Sequence, residues 1–288
     1  MTQKKKDWQG RTDGTFWMHH TLVSLLRYIP ITVIYAVMDI VIVFYLIFAR
    51  NRTSATYHYF RQTYAQSIWR AVLNTYLLYR QFGQVVIDRF AVYAGQHFEL
   101  DIEGNELVYE AMDKGNGCIL ISSHVGNYEI AGYALKPTRP MYAVMYGGEK
   151  EYVMASRQHK LEQNGIHVLV PDEEWSYLYT INQTMQEGNM VTIMGDRNLG
   201  SDKVISTEIL GRPAHLPSGP FSIASLYQEA TVCTVFVMKE SQRKYHIYVQ
   251  ALHGSNKEEY ARAFAAQLTD IVGHYPYQWY NFYDFWES

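Results

Sequence analysis

The chain has 288 residues, 48% of them hydrophobic, and a formal net charge of −3. This length allows one large domain with a full core, and the 25 tyrosines and 6 tryptophans suit boundaries between apolar and aqueous surroundings. The acidic balance of residues 101–288 argues against nucleic-acid binding, which usually requires a basic face. Residues 1–100 are basic instead, which favours attraction to anionic lipid headgroups.

The first predicted element is an apolar arm, Thr21–Phe48, interrupted mainly by Arg27, Pro30 and Asp39. It is longer than the apolar part of a signal peptide and no small-residue cleavage site follows it, so we expect an uncleaved anchor. Its second part, Ile31–Phe48, is long enough to span a bilayer. Basic residues on both sides conflict with a single span, so we expect embedding in one leaflet. A complete span and a buried helix of a soluble protein are the alternatives.

Residues 54–94 carry apolar and aromatic residues at helical spacing and are predicted to be helical. After Gly104 strands and helices alternate. The predicted strands are Cys118–Ser122, Met141–Met145, His167–Val170, Met190–Met194, Thr231–Met238 and Lys244–Ala251. The predicted helices are Tyr128–Leu135, Glu149–Asn164, Glu174–Glu187, Phe221–Gln228 and Lys257–His274. This alternation indicates an α/β fold with a mostly parallel central sheet flanked by helices, preceded by a membrane-associated helical arm.

The two cysteines, Cys118 and Cys233, both fall in predicted buried strands. We expect them to be unpaired core residues in a reducing compartment.

The first segment that suggests chemistry is Ser123–Glu129, directly after a predicted strand. Ligands of parallel sheets bind beyond the carboxyl ends of the strands, so His124 lies where a substrate can reach it. Asn127 can cap the next helix, which puts Glu129 in its first turn, near the histidine ring. A carboxylate there would keep one ring nitrogen protonated and leave the other to accept a proton. The alternative is a surface histidine that happens to lie near a glutamate.

No nucleophile stands beside this histidine in a recognisable motif. Ser122 and Ser123 are the local candidates, but they would point away from His124, and no G-x-S-x-G turn surrounds them. The pattern therefore favours direct attack by a hydroxyl of the substrate.

Two further segments could bind a substrate: one follows a predicted buried strand, and the other comes directly before a predicted helix. Arg197, in Gly195–Asn198, could hold a phosphate or carboxylate through two hydrogen bonds, unless it only pairs with a neighbouring aspartate. Gly211–Pro220 precedes a helix whose first amides could bind an anion or oxyanion, unless it is an ordinary connecting loop. Neither metal-ligand spacing nor a nucleotide-binding glycine motif is present, so we expect neither a metal nor a nucleotide cofactor.

At these residues the chain resembles the lysophospholipid acyltransferase superfamily, and within it the late acyltransferases of bacterial lipid A biosynthesis. Those enzymes have an N-terminal membrane segment and then His-x₄-Asp/Glu, as at His124 and Glu129. They also have a strand that ends in an aspartate with a polar or basic neighbour, as at Asp196 and Arg197. A later stretch, G-x-x-x-x-x-P-x-G-x-x-x-[LI]-A, is matched by Gly211–Ala224.

The resemblance covers roughly residues 20–285 and implies an anchor segment, 1–53, and an acyltransferase domain, 54–288, made of a helical lead-in, 54–94, and an α/β core, 95–288. Two departures concern the acceptor. The glycerolipid branch usually has P-E-G-T-R where this chain has P-S-G-P, which lacks the acid and the arginine. This weakens the case for a glycerol-3-phosphate-type acceptor and puts the lipid A-like branch ahead, with a glycerophospholipid pathway as an alternative. The aromatic ending is similar to that of acyltransferases of aryl polyene-type pathways, which are a second alternative.

The resemblance implies transfer of a fatty acyl chain from acyl-carrier protein, or from acyl-CoA, to a hydroxyl of a lipid A-like membrane precursor. No cofactor is implied besides this thioester co-substrate. His124 would be the general base and Glu129 would orient it. The implied substrate-binding residues are Asn127, Asp196, Arg197, Pro217, Ser218 and Gly219. The implied partners are the bilayer, the carrier protein and the lipid acceptor, at the cytoplasmic face of the bacterial inner membrane. A lipid or thioester hydrolase and a non-catalytic membrane protein are rival hypotheses.

Overall fold

The computed structural model describes residues 16–134, 138–145, 158–159, 161–171, 176–198 and 203–286. Within these ranges the strands are β1 (Glu99–Glu103), β2 (Cys118–Gly126), β3 (Met141–Val144), β4 (Ile166–Leu169), β5 (Met190–Met194), β6 (Val204–Ile209), β7 (Arg212–Pro217), β8 (Thr231–Lys239) and β9 (Lys244–Ala251). The helices are α1 (Phe16–Tyr28), α2 (Ile31–Phe48), α3 (Arg50–Thr63), α4 (Ile68–Tyr93), α5 (Asn105–Lys114), α6 (Tyr128–Ala134), α7 (Ser176–Gln186), α8 (Ser218–Leu226) and α9 (Lys257–His274).

A seven-stranded sheet in the order β1-β9-β8-β2-β5-β3-β4 forms the centre of the fold. Neighbouring strands are parallel except β8 and β9, which are antiparallel. A separate antiparallel pair, β6 and β7, forms a hairpin. The predicted α/β class with a mostly parallel sheet is therefore confirmed.

The central strands are apolar along their whole length because helices cover both faces of the sheet. Alternate side chains of β2 join two different clusters: Ile119 and Ile121 pack in one with Phe221, whereas Cys118 and Leu120 pack in the other. Both cysteines of the chain are buried and free, as predicted.

The helical lead-in, predicted as helical over residues 54–94, consists of two helices. Helices α3 and α4 are separated by residues 64–67, and Ala65 has a positive φ of 48°, which interrupts a right-handed helix. Helix α4 packs against α2 at Gly83, where a Cβ atom would lie 2.3 Å from the sulfur of Met38. This close approach lets one long helix connect the apolar arm to the core.

Helix α2 coincides with the predicted apolar segment and is long and apolar enough to cross a membrane by length and composition. Only 17% of it is buried. Exposed residues such as Val33, Val37, Ile40 and Phe44 give it an apolar surface of the kind that lipid covers.

Other predicted boundaries differ from the observed ones. Much of Gly211–Pro220 is strand β7, because Leu210 and Gly211, with φ of 53° and 74°, form a tight hairpin connection. Helix α8 consequently begins at Ser218, three residues before the predicted start. Strand β2 continues to Gly126, so His124 lies within the strand and not after it.

Three further elements, β1, α5 and β6, were not predicted. The predicted helix over Glu149–Asn164 lies largely outside the described residues. The predicted helix over Glu174–Glu187 is observed as α7, Ser176–Gln186, and its first two predicted residues lie outside the described ranges.

Candidate active site

The candidate site forms where β2 and β5 end side by side. These strands are parallel, and their last paired residues are Ser122 and Met194. Just beyond this pair, the Gly195 amide donates a hydrogen bond to the Ser122 carbonyl at 2.9 Å. The residues that follow, His124 and Asp196, therefore meet at the same edge of the sheet. The register of β2 against β8 shifts after Ser122, and such a bulge can re-aim a side chain.

His124 and Asp196 are joined by two hydrogen bonds. The ring Nδ1 lies 2.8 Å from one carboxylate oxygen, and the backbone amide of His124 donates to the other at 2.9 Å. The carboxylate is fully buried, whereas the imidazole is 23% exposed. An ionised carboxylate can only accept, so Nδ1 carries the ring proton and Nε2 is the basic nitrogen.

The charge state of Asp196 supports this tautomer. Burial raises the pKa of the carboxyl group, but the nearby His124, its hydrogen bonds and the Arg197 charge outweigh burial. The resulting pKa lies below the ordinary value for an aspartate, because these neighbours stabilise the charged form. Asp196 is therefore a carboxylate at neutral pH.

Glu129 has different partners. Its carboxylate forms an ion pair with Arg89 at 3.0 Å and accepts a hydrogen bond from the Tyr93 hydroxyl at 3.3 Å, both on α4. The carboxylate at Nδ1 is therefore Asp196, where the sequence led us to expect Glu129. The physical reason is the pairing of β2 with β5, which brings together residues 72 positions apart.

Asn127 lies inside the protein just before α6. It is 3% exposed, and its side chain donates to the Tyr245 hydroxyl at 3.3 Å. The preceding Gly126 has a φ of +55°, and a Cβ atom there would lie 1.8 Å from the Val237 carbonyl oxygen. This turn therefore requires glycine. Asn127 and Asp196 are both buried, and their contacts hold the turn and the histidine in place. That they also bind substrate stays a prediction.

A short stretch near the C-terminus, Gln278–Tyr280, completes the surroundings of His124; we call it the closing segment. Its first carbonyl accepts a hydrogen bond from the Gly126 amide at 2.8 Å, and the Tyr280 amide donates to the His124 carbonyl at 3.2 Å. Arg197 donates through Nη2 to the Tyr280 carbonyl at 2.8 Å. Arg197 therefore ties the closing segment to β5. The sequence revealed only that this region is rich in aromatic residues, not where it packs.

The predicted residues Pro217, Ser218 and Gly219 lie at the start of α8. The Ser218 amide donates to the Lys203 carbonyl at 3.0 Å. No hydrogen bond or ion pair among the described residues joins these three to His124. Helix α8 approaches the site through Phe221, whose ring would lie 3.3 Å from a Cβ atom at Gly195.

In the described ranges no three His, Cys, Asp or Glu side chains form a group that could hold a metal ion.

Comparison with protein families places this geometry in context. Residues 78–288 match the sequence model of the family described as bacterial lipid A biosynthesis acyltransferase. The match begins in α4 and includes the whole sheet, the His124–Asp196 pair and the closing segment. A search of curated proteins finds no match. Because the family match spans well over half of the sequence, the chain belongs to the bacterial lipid A biosynthesis acyltransferase family.

Proposed function

We propose that this acyltransferase moves a fatty acyl chain from acyl-carrier protein to a hydroxyl group of a lipid A-like membrane precursor. Membership of the family gives acyl transfer to a lipid. The observation that carries the finer proposal is the His124–Asp196 pair, since it leaves a basic Nε2 on a partly exposed ring. A base of this kind activates a hydroxyl without a metal or an enzyme nucleophile.

In the proposed reaction, Nε2 of His124 takes the proton of the acceptor hydroxyl as its oxygen attacks the thioester carbonyl carbon. The tetrahedral intermediate then collapses, the carbon–sulfur bond breaks, and the thiolate takes the proton from the imidazolium. Asp196 stabilises the imidazolium through its hydrogen bond to Nδ1, which is charge-assisted in that state. The products are an ester and a free thiol.

The two neighbouring serines support direct transfer. Ser122 is 6% exposed and its hydroxyl donates to the Val235 carbonyl at 2.8 Å, and Ser123 is fully buried. Neither hydroxyl is placed to form an acyl-enzyme, so the acceptor hydroxyl itself is the nucleophile.

We assign Glu129 a positioning role beside the dyad. Arg89 and Tyr93 hold its carboxylate and so fix the first turn of α6. In that turn Tyr128 packs edge-on against the His124 ring, with ring centroids 5.7 Å apart. Glu129 thus restricts the orientation of the imidazole through its neighbour.

The proposal is tested by product analysis. Purified protein in lipid nanodiscs is given acyl-carrier-protein thioester or acyl-CoA, with or without a lipid A precursor, and the products are identified by mass spectrometry. We expect an acylated lipid that forms faster with the carrier protein than with CoA. A hydrolase would instead release free fatty acid at the same rate with and without the lipid, and that result would contradict the proposal.

We place the protein at the cytoplasmic face of the inner membrane, attached through α2. Val37 and Phe44 are each 57% exposed on this helix. Their joint replacement by glutamate should release the protein into the soluble fraction, because a charged residue within the hydrocarbon costs about 2.5–3.5 kcal/mol. Fractionation with a carbonate wash measures this. The matched control is Leu178→Glu with Tyr179→Glu on α7, which should stay membrane-bound. Equal behaviour of the two double variants would contradict attachment through α2.

A further inference from the structure

Helix α4 begins with an exposed apolar surface to which the acyl-transfer mechanism gives no role. Four large apolar side chains in its first two turns are between 50% and 82% exposed: Ile68, Trp69, Val72 and Leu73. Their spacing puts all four on one face of the helix, and the buried residues of these turns lie on the opposite face. A group of exposed apolar side chains of this size marks a surface that contacts a membrane or another protein.

This patch continues the exposed apolar surface of α2, because the two helices run antiparallel. Three contacts show their alignment: Tyr35 with Asp88, Asp39 with Arg80, and Tyr45 with Tyr79. The end of α2, where Phe44 is 57% and Phe48 is 82% exposed, therefore lies nearest to the start of α4. We call the exposed apolar residues of α2, together with the four residues of α4, the α2–α4 face.

The chemistry of the α2–α4 face suits a lipid bilayer. Helix α2 has the length and the composition of a membrane helix. Trp69 is an aromatic residue of the kind that prefers the level of the lipid headgroups. Arg70, which is also exposed, can lay its apolar stem along the same surface and keep its charge among anionic headgroups. These properties favour lipid over a protein partner.

The helices on both sides of α2 are attached to the same protein body. Before α2, Leu26 of α1 is 1% exposed and belongs to the same apolar cluster as Phe90 of α4. The Leu26 carbonyl also accepts a hydrogen bond from the Gln96 side chain at 2.6 Å. After α2, Thr63 of α3 accepts a hydrogen bond from Arg212 of β7 at 3.3 Å. A complete span would separate α1 from α3 by the whole membrane and break one of these attachments.

The side of α2 that faces the body is polar. Asp39, in the middle of the helix, is ion-paired with Arg80 at 3.0 Å, and the two side chains are 26% and 38% exposed. Both residues, together with Glu240, line a cavity of about 590 Å³ between α2 and the body. A complete span would place this charged wall within the hydrocarbon, where charged side chains are costly. Helix α2 therefore has one side suited to lipid and another suited to protein and water.

We propose that the α2–α4 face enters one leaflet of the bilayer, so that α2 lies along the membrane surface and does not cross it. The charges that flank α2 in the sequence favour one leaflet, but they do not indicate the contribution of α4. Helix α4 also connects this face to the active site: the Phe82 ring lies 5.0 Å from that of Tyr280, whose amide bonds the His124 carbonyl. Insertion of the face consequently fixes how His124 is placed relative to the leaflet. The proposal rests on the attachment through α2 proposed above, and not on acyl transfer.

Introduced cysteines test whether α2 crosses the membrane, because both natural cysteines are buried. Tyr28→Cys lies before α2 and His58→Cys after it, both at exposed positions. The full-length variants are treated with a membrane-impermeant maleimide, in inverted inner-membrane vesicles and in intact spheroplasts. Both cysteines should react in the inverted vesicles and neither in the spheroplasts. Reaction of one cysteine in each preparation would show a complete span and overturn the proposal.

A fluorescent label tests the contribution of α4. Leu73→Cys on α4, Val37→Cys on α2 and Tyr179→Cys on α7 are each labelled with an environment-sensitive dye, at positions that are 55%, 57% and 74% exposed. The proteins are placed in phospholipid vesicles that contain lipids with a nitroxide on the acyl chain. These lipids should quench the labels at positions 73 and 37, whereas the label at position 179, the matched control, should keep its fluorescence.

The outcomes separate this proposal from those on which it depends. Quenching at position 37 without quenching at position 73 would mean that lipid does not cover the start of α4, which overturns the α2–α4 face and keeps the attachment through α2. Absence of quenching at both positions would refute the attachment as well. Neither measurement involves turnover, so a failure of the proposed acyl transfer would leave both results unchanged.

Discussion

Asp196→Asn should lower acyl transfer by about 10²–10⁴-fold, as much as the removal of the general base by His124→Ala. The carboxylate offers one oxygen to the backbone amide of His124 and the other to Nδ1. An asparagine has a single oxygen, so when it accepts from the backbone its NH₂ group faces Nδ1. The ring then carries its proton on Nε2, where it cannot act as a base.

This prediction is measured as initial rates with a saturating acyl thioester, together with the urea midpoint of unfolding on the same preparation. Each substitution removes a stabilising interaction of the buried Asp196 carboxylate, so the urea midpoint shows whether the variant is still folded under the assay conditions. The matched control is Glu129→Gln, which leaves the bonds between His124 and Asp196 intact and should cost much less. Loss of activity in Glu129→Gln alone, with Asp196→Asn near wild type, would reverse the assignment of the histidine's partner.

The second large effect is on stability, and it concerns the cluster around Asp88. Lys239 forms a buried ion pair with Asp88, and the hydroxyl groups of Tyr35 and Tyr245 also donate to this carboxylate. Burial raises the pKa of Asp88 and lowers that of Lys239, because it disfavours the charged form of each group. The opposite charge of the partner shifts each pKa the other way, but less than burial does. Lys239→Met leaves the carboxylate uncompensated and should lower the free energy of unfolding by about 3–5 kcal/mol.

The double variant Asp88→Asn with Lys239→Met is the control for this cluster. It removes both charges, and it should recover much of the lost stability, because a buried ion pair can be replaced by neutral groups at little cost. Unfolding by urea in detergent, followed through the fluorescence of buried tryptophans such as Trp279, measures all three proteins. An unchanged urea midpoint for Lys239→Met would show that the pair does not stabilise the protein. The cluster links α2 to α4, β8 and β9, so a large loss would also loosen the apolar arm.

The central strands of the sheet were largely predictable, because β2, β5 and β8 are short runs of apolar residues whose ends are clear in the sequence. Glycines in left-handed conformations, such as Gly165 and Gly188, mark the neighbouring turns. His124 and Asp196 were both predicted as site residues since each follows an apolar run. Their contact was not predictable, because a single sequence gives the order of the strands along the chain and not their order in the sheet. That β2 lies between β5 and β8 became known only from the structure.

Two other features could not be obtained from sequence patterns. Strand β7 carries Pro213 and Pro217, and proline argues against a strand in a larger sheet. A two-stranded ribbon has two edges, so it tolerates both, paired opposite Glu208 and Val204. The closing segment depends on the direction in which the chain leaves α9. Its aromatic composition indicates that the segment is buried, but not which part of the protein it packs against.

The strand order described above also determines how the polypeptide folds. Residues paired between β2 and β8, such as Cys118 and Thr231, are more than a hundred positions apart, and β1 and β9 are further apart still. Folding slows as the sequence separation of native contacts grows, because the entropy of closing long loops is lost before those contacts form. During synthesis α2 and β2 therefore emerge long before β8 exists to complete the sheet. We expect slow folding, and an early need for lipid or a chaperone to cover these apolar segments and prevent aggregation.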